Sequence, residues 1–156
     1  MIADKKFLVG RWNVVSWTEI YPDGSVNAPF GDTPRGFLLY EGDGEMVCLL
    51  AKPSREHFST SNRLEGKLKE KAQAFDDFFV YAGKYWISDI GVEHQVELAL
   101  FPNWEGTLQR RRIKNLSSER LLLQAEIKAG EPGGHVVQIE WAKSAGALSD
   151  KLSPGD

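Results

Sequence analysis

His94 is the side chain best suited to proton transfer in this sequence. It lies in residues 92–101, where apolar and polar residues alternate, and it shares the apolar face with Val92, Val96 and Leu98. An imidazole with an ordinary pKa of about 6.5 exchanges protons near neutral pH, which makes His94 a candidate general acid or base. The alternative is a buried histidine that hydrogen-bonds to a neighbour and serves only the fold.

A turn and a second strand follow this run. Residues 102–106 supply the turn, because proline cannot donate to a strand ladder and glycine relieves the backbone. Alternation then resumes over residues 107–113. The two runs predict a hairpin that carries His94 toward whatever the sheet encloses.

The register of this hairpin decides which arginine accompanies His94. With a loop of residues 102–105, His94 pairs with Ile113 and points to the same side as Arg111. A loop one residue longer or shorter would place Arg110 and Arg112 there instead, since a one-residue slip reverses the faces.

Arg111 and several tyrosines would complete a set for proton transfer. The guanidinium of Arg111 could stabilise an enolate or a carboxylate through its fixed donors. Tyr85 is the hydroxyl expected in the catalytic set, and Tyr40 and Tyr81 are further hydroxyl partners. Such a set suits isomerisation, enolisation or cyclisation of an apolar substrate.

Composition predicts one globular domain over residues 1–142, followed by a flexible tail over 143–156. The 156 residues, 42% of them hydrophobic, can bury a substantial core. With 19 basic and 22 acidic side chains the net charge is −3, which gives no electrostatic reason to expect a nucleic acid as partner.

The remaining composition bears on cofactors and location. Cys48 is the only cysteine and the three histidines lack ligand spacing, so we expect neither a disulfide nor a metal, and no other cofactor. No signal sequence or run of about 18 apolar residues is present, which predicts a cytoplasmic protein outside the membrane. A monomer and a homodimer both remain open.

Hydrophobic periodicity predicts eight strands and one helix. The strands are expected at 7–20, 36–40, 45–51, 84–88, 92–101, 107–113, 120–127 and 135–141. Spacings of three and four predict an amphipathic helix over 67–82, between strands three and four, ending at Gly83. This spacing is typical of an antiparallel barrel or sandwich.

Several segments resemble the lipocalin-like domain family. Gly10-Arg-Trp resembles the Gly-x-Trp opening of lipocalins, and the more specific match is His94-x-Val-Glu-x-Ala-Leu-Phe-Pro-Asn-Trp-x-Gly-Thr. The resemblance covers residues 7–141. It implies an all-β, eight-stranded antiparallel up-and-down barrel with an internal cavity, the fold of carriers of apolar molecules and of related isomerases and cyclases that act on polyketide or terpenoid intermediates.

If the barrel encloses such a cavity, we expect a ligand-binding set on its walls and at its mouth. Its members are Trp12, Tyr40, Tyr81, Val96, Leu98, Asn103, Trp104, Gln109 and Trp141. Structural roles compete with this interpretation. Arg111 could stack over Trp12 at the closed end, as arginines do in lipocalins, Trp12 could belong to the core, and Asn103 could stabilise its turn.

Three functions are open for such a barrel, and the first two require a small apolar ligand or substrate as partner. The first is a cofactor-free isomerase, cyclase or lyase with His94 as general acid or base, in which His94→Ala abolishes turnover at nearly unchanged melting temperature. The second is a carrier without chemistry. The third is an interaction module whose interior is plugged by Trp12, Trp17, Trp86 and Trp141.

Overall fold

Strands make up about half of the computed structural model, which describes residues 3–145. They are β1 (Gly10–Ile20), β2 (Val26–Asn27), β3 (Arg35–Tyr40), β4 (Glu45–Ala51), β5 (Phe78–Ile87), β6 (Gly91–Ala99), β7 (Leu108–Leu116), β8 (Arg120–Ile127) and β9 (His135–Lys143). Two α-helices, α1 (Lys5–Leu8) and α2 (Leu68–Asp76), and a 3-10 turn (Pro102–Trp104) complete the described elements.

The sheet closes on itself. Neighbouring strands pair antiparallel in the order β2-β1-β3-β4-β5-β6-β7-β8-β9, and β1 also pairs with β9. Because β2 adds only two residues beside the end of β1, the described chain forms a barrel of eight strands, β1 and β3–β9. Closure leaves no long unpaired edge. The predicted fold class is confirmed, with α2 between the third and fourth barrel strands.

The helix is shorter than its periodicity predicted. It ends at Asp76, and residues 78–82, expected to be helical, belong to β5, where Phe78 pairs with Ala51 of β4. Aromatic and β-branched residues at 78–81 gain more from a place in the closed sheet than from a helix with nothing to pack on. None of the side chains of α2 is buried.

A β-bulge in β6 overturns the predicted alternation beyond Val96. Gly83 pairs with Val96 but Ala82 pairs with Leu98, so Glu97 is an extra residue and the faces reverse after it. Leu98 is therefore 68% exposed, not inside the barrel as predicted. At Gly83 a Cβ atom would lie 1.9 Å from the Gln95 carbonyl oxygen, so only glycine permits this approach.

A second bulge reorients β1. Val14 pairs with Trp141 and Ser16 with Glu140, which leaves Val15 as the extra residue. Trp12 and Val14 face inward before the bulge, and Trp17 faces inward after it. Simple alternation from Trp12 would place Trp17 on the opposite face, because it cannot anticipate an inserted residue.

The closed end of the barrel is built around Trp12. Its indole N–H donates to the Leu8 carbonyl at 2.8 Å, so α1 lies across this end. The Lys143 ammonium lies 4.5 Å from the ring centroid of Trp12 and donates to the Val9 carbonyl. Lys143 thus belongs to β9 and not to the predicted tail, whose residues 146–156 lie outside the described part.

Candidate functional site

An apolar cavity of about 280 Å³ occupies the half of the barrel away from Trp12. This is roughly twice the size of a ~150 Å³ protein cavity that holds benzene. Its walls are formed by Trp17, Leu38, Cys48, Leu50, Phe79, Tyr81, His94, Trp104, Arg111, Leu123, Ala125, Ile127, His135, Val137, Ile139 and Trp141. The barrel is therefore not plugged, and Trp86, one of the four predicted plugs, is exposed on the outer surface.

His94 lies on the cavity wall, as predicted, but both of its ring nitrogens are engaged. Nε2 lies 2.6 Å from the Tyr40 hydroxyl and Nδ1 lies 2.8 Å from the Tyr81 hydroxyl. The residue is 1% exposed. Burial, with a smaller contribution from the positive charge of Arg111, holds the pKa of His94 well below its ordinary value. His94 is therefore a neutral imidazole in a continuous hydrogen-bonded chain.

Tyr81 brings this chain to the cavity surface, whereas Tyr40 is fully buried behind it. Burial raises the pKa of Tyr81, so the phenol keeps its proton. Cys48 lies beside Tyr81, and burial raises the pKa of its thiol to about 12. Neither group is an anion near neutral pH.

Arg111 is the arginine that faces the cavity, while Arg110 and Arg112 are exposed. Its register differs from the prediction, since His94 pairs with Gln109 and not with Ile113. The shift is four residues, an even number, so Arg111 and His94 remain on one face. The difference arises because the backbone of β6 stays bonded to the segment leading into β7 only as far as Val96, whose N–H donates to the Thr107 carbonyl, and a connection longer than four residues follows.

The Arg111 guanidinium covers a tryptophan, although not the one expected. It lies 5.7 Å from the ring centroid of Trp104 and donates to the Arg110 carbonyl at 2.9 Å. The predicted stack over Trp12 is wrong, because Lys143 occupies that position. Trp104 also packs edge-on against Phe79 and Tyr81, with ring centroids 5.0 and 5.2 Å away.

The remaining predicted site residues differ in whether they reach the cavity. Trp104 and Trp141 line the cavity, whereas Val96 is packed in the core and Asn103 is exposed in the 3-10 turn. Gln109 is half-buried and donates to the Thr107 hydroxyl at 2.9 Å, outside the cavity wall.

Tyr85, predicted as a catalytic hydroxyl, lies near the closed end. Its hydroxyl donates to the Glu41 carbonyl at 2.6 Å, and its ring packs 4.5 Å from that of Tyr40. It does not line the cavity, because its position on β5 is two inward-facing steps beyond Tyr81.

Several wall residues were missed by the sequence analysis. Trp17 was expected inside the barrel only as a plug and not as a ligand contact, and Phe79 was hidden by the overextended helix, although Phe79, Tyr81 and Tyr85 share the odd positions of one strand. That period-two pattern was the signal that could have revealed Phe79. The indole N–H groups of Trp17 and Trp141 have no acceptor among the described residues.

His135 stands at the mouth of the cavity. Its Nε2 lies 2.9 Å from a carboxylate oxygen of Glu19, and its Nδ1 lies 3.0 Å from the Gly133 carbonyl. No group of three or more metal-binding side chains occurs within residues 3–145. None of the described helices is long and apolar enough to cross a membrane.

The fold and the cavity define an eight-stranded antiparallel barrel with an apolar interior. A family model for the lipocalin-like domain matches residues 9–144, and the chain belongs to that family. A curated relative is the 4'-hydroxy-3'-methoxypropiophenone carrier protein of Aspergillus oryzae (strain ATCC 42149 / RIB 40). It is 28% identical over 76 residues, a match that covers 44% of this chain and 68% of the relative.

Proposed function

We propose that this protein binds and carries a small apolar molecule, about the size of one substituted ring, inside its barrel. The observation that carries the proposal is the cavity of about 280 Å³ enclosed by largely apolar side chains. Pockets with apolar walls and a few placed polar groups are typical of small-molecule sites. The cytoplasmic location, the single domain and the choice between monomer and homodimer stay predictions.

The shape of the wall favours a flat ligand. Trp17, Phe79, Tyr81, Trp104 and Trp141 all contribute to it. Aromatic rings prefer edge-on and offset contacts with other rings. The similarity to a protein named as the carrier of a substituted propiophenone, a molecule with one ring, supports the same size class for the ligand of this chain.

Proton-transfer catalysis is the second candidate function. The chain of hydrogen bonds from Tyr40 through His94 to Tyr81, beside Arg111, favours it, and the reaction would be a cofactor-free isomerisation or cyclisation of a polyketide- or terpenoid-like intermediate. The carrier is favoured because no carboxylate or lysine is found among the described residues that line the cavity. Both nitrogens of His94 are engaged, which leaves it poorly placed to take a substrate proton.

A cavity-filling variant tests the proposed function. Ala125 lies on the cavity wall, so Ala125→Phe would occupy the space, whereas Ala142 of β9 lies outside it and Ala142→Phe is the matched control. Small single-ring aromatic compounds are titrated against each protein, and binding is followed by tryptophan fluorescence, since Trp17, Trp104 and Trp141 line the cavity.

Saturable binding to the wild type and to Ala142→Phe, but not to Ala125→Phe, would support the carrier. No binding to any of the three proteins would favour an interaction module. Chemical change of a bound compound during prolonged incubation, lost in His94→Gln, would instead establish the enzyme.

A further inference from the structure

We propose that the cavity selects ligands that carry a neutral carbonyl oxygen, which accepts a hydrogen bond from the Tyr81 hydroxyl beside the Arg111 guanidinium. The ligand class is then a small aromatic or conjugated ketone or aldehyde. This inference rests on the proposed function, because it requires that a small molecule occupies the barrel. It adds the polar group that the molecule must bear and the atoms that recognise it.

The first step is the tautomer of His94. A neutral imidazole has one nitrogen that donates and one that accepts. Tyr40 is fully buried, and His94 is its only hydrogen-bond partner among the described residues. If Nε2 donated to Tyr40, the Tyr40 proton would be buried without an acceptor, which is costly. Tyr40 therefore donates to Nε2, and Nδ1–H donates to the oxygen of Tyr81.

The second step concerns the proton of Tyr81. Since its oxygen accepts from Nδ1 of His94 at 2.8 Å, its own O–H points elsewhere. The neighbouring sulfur of Cys48 is a weak acceptor, so it competes poorly with a carbonyl oxygen. Tyr81 lies on the cavity wall, so its hydroxyl is a donor available to a ligand. Tyr40 and His94 are positioning residues for this donor.

Arg111 gives the same wall a positive charge. Its guanidinium is held over Trp104 at 5.7 Å, donates to the Arg110 carbonyl and also interacts with the Tyr81 oxygen. A guanidinium has five N–H donors, so others are left for a ligand. The two histidines of the wall have both ring nitrogens engaged, so strong acceptors are scarce in the described lining. An apolar ligand that carries one hydrogen-bond acceptor would therefore match a wall that has donors to spare and few strong acceptors.

A matched set of ligands tests the inference by calorimetric titration of the full chain. Propiophenone carries the carbonyl, propylbenzene has the same shape without it, and 3-phenylpropanoate carries a carboxylate. We expect propiophenone to bind about tenfold more tightly than propylbenzene, the equivalent of one hydrogen bond. Tyr81→Phe should abolish this ratio and leave propylbenzene binding nearly unchanged.

Tyr85→Phe is the matched control. It removes a buried tyrosine hydroxyl outside the cavity, so the preference for the ketone should persist. The infrared band of the bound carbonyl tests the same hydrogen bond in the wild type, so this measurement does not require that Tyr81→Phe folds. The band should lie at lower frequency than for propiophenone in an apolar solvent.

The outcomes separate the inference from the proposed function. Equal binding of propiophenone and propylbenzene, or an unshifted carbonyl band, would overturn the carbonyl site and leave the carrier intact. Tighter binding of 3-phenylpropanoate would overturn it in favour of a carboxylate site on Arg111. If none of the three compounds binds, both proposals fail.

Discussion

The two ends of the barrel use the same kinds of residue in different ways. At the closed end, Trp12 lies under Lys143 and donates its N–H to the Leu8 carbonyl, and the Tyr85 hydroxyl donates to a backbone carbonyl. At the cavity end, Trp104 lies under Arg111 and the Tyr81 hydroxyl has a proton to donate. Among the described residues, the closed end supplies a carbonyl acceptor for each of these donors, whereas the Tyr81 hydroxyl at the cavity end has only the weakly accepting sulfur of Cys48 beside it.

This difference between the two ends suggests that one end serves the stability of the fold and the other serves ligand binding. A buried donor that is paired within the protein supports the fold, while an unpaired one is a cost that a ligand can relieve. The indole N–H groups of Trp17 and Trp141, which have no acceptor in the described chain, belong to residues that line the cavity. The buried Ser88 hydroxyl, which also lacks a partner there, lies just after the end of β5, outside the cavity wall. We therefore expect substitutions at the two ends to affect different measurements.

The largest effect expected from truncating an aromatic side chain is at the closed end. Trp12→Ala should lower the free energy of unfolding by about 3–5 kcal/mol, because Trp12 is fully buried and its removal leaves a cavity and an unpaired carbonyl. Trp104→Ala should cost only about 1–2 kcal/mol, since the ring is half-buried, but should weaken binding of single-ring compounds. Urea denaturation and ligand titration measure the two effects, and equal losses of stability would contradict the division.

His94 belongs to both regions, and its replacement should cost stability. His94→Leu leaves the Tyr40 hydroxyl buried without a partner, which should lower the free energy of unfolding by about 2–3 kcal/mol. The nearly unchanged melting temperature that the enzyme hypothesis predicted for His94→Ala is therefore not expected. Adding Tyr40→Phe to His94→Leu should recover part of the loss, because both partners are then apolar. A double variant that is less stable than the single one would exclude this explanation.

The pKa of His94 predicts a smaller, pH-dependent effect. The folded-state pKa lies below the unfolded value of about 6.5, so below that pH the unfolded chain binds a proton that the native protein does not. The contribution of the neutral His94 to the free energy of unfolding is complete above about pH 6.5. It is lost as pH falls toward the folded-state pKa, by about 1.4 kcal/mol per pH unit. Urea denaturation between pH 7 and pH 5 measures the slope, and His94→Gln should reduce it. An unchanged slope in that variant would assign the pH dependence to other groups.

The smallest expected effect tests the β6 bulge. Leu98→Lys should change the free energy of unfolding by less than about 0.5 kcal/mol, because the bulge turns Leu98 to the surface. Val96→Lys, two residues earlier on the inward face, should prevent folding by burying an unpaired charge. Circular dichroism of both variants settles the orientation, and a disruptive Leu98→Lys would place that residue in the barrel.

The sequence by itself determined the barrel and the direction of its central histidine. Alternating runs of eight strands, with turn residues between them, predicted an antiparallel barrel or sandwich, because period-two burial depends only on local residue order. The choice of the closed barrel came from the resemblance of the segment from His94 to Thr107 to the lipocalin-like family. The sequence also predicted that His94 and Arg111 share a face. That conclusion survived a wrong register, because an error of four residues preserves parity.

Only the tertiary structure decided which side chains meet in the cavity. The bulges at Val15 and Glu97 brought Trp17 inside and moved Leu98 outside, and neither insertion leaves a pattern in the sequence. The partners of His94 come from β3 and β5, 54 and 13 residues away, so their approach depends on strand order around the barrel. Tyr81 and Tyr85 are both tyrosines on the inward face of β5, so the sequence pattern does not distinguish them. Their positions along the closed sheet do, because Tyr81 lines the cavity and Tyr85 donates to the Glu41 carbonyl near the closed end.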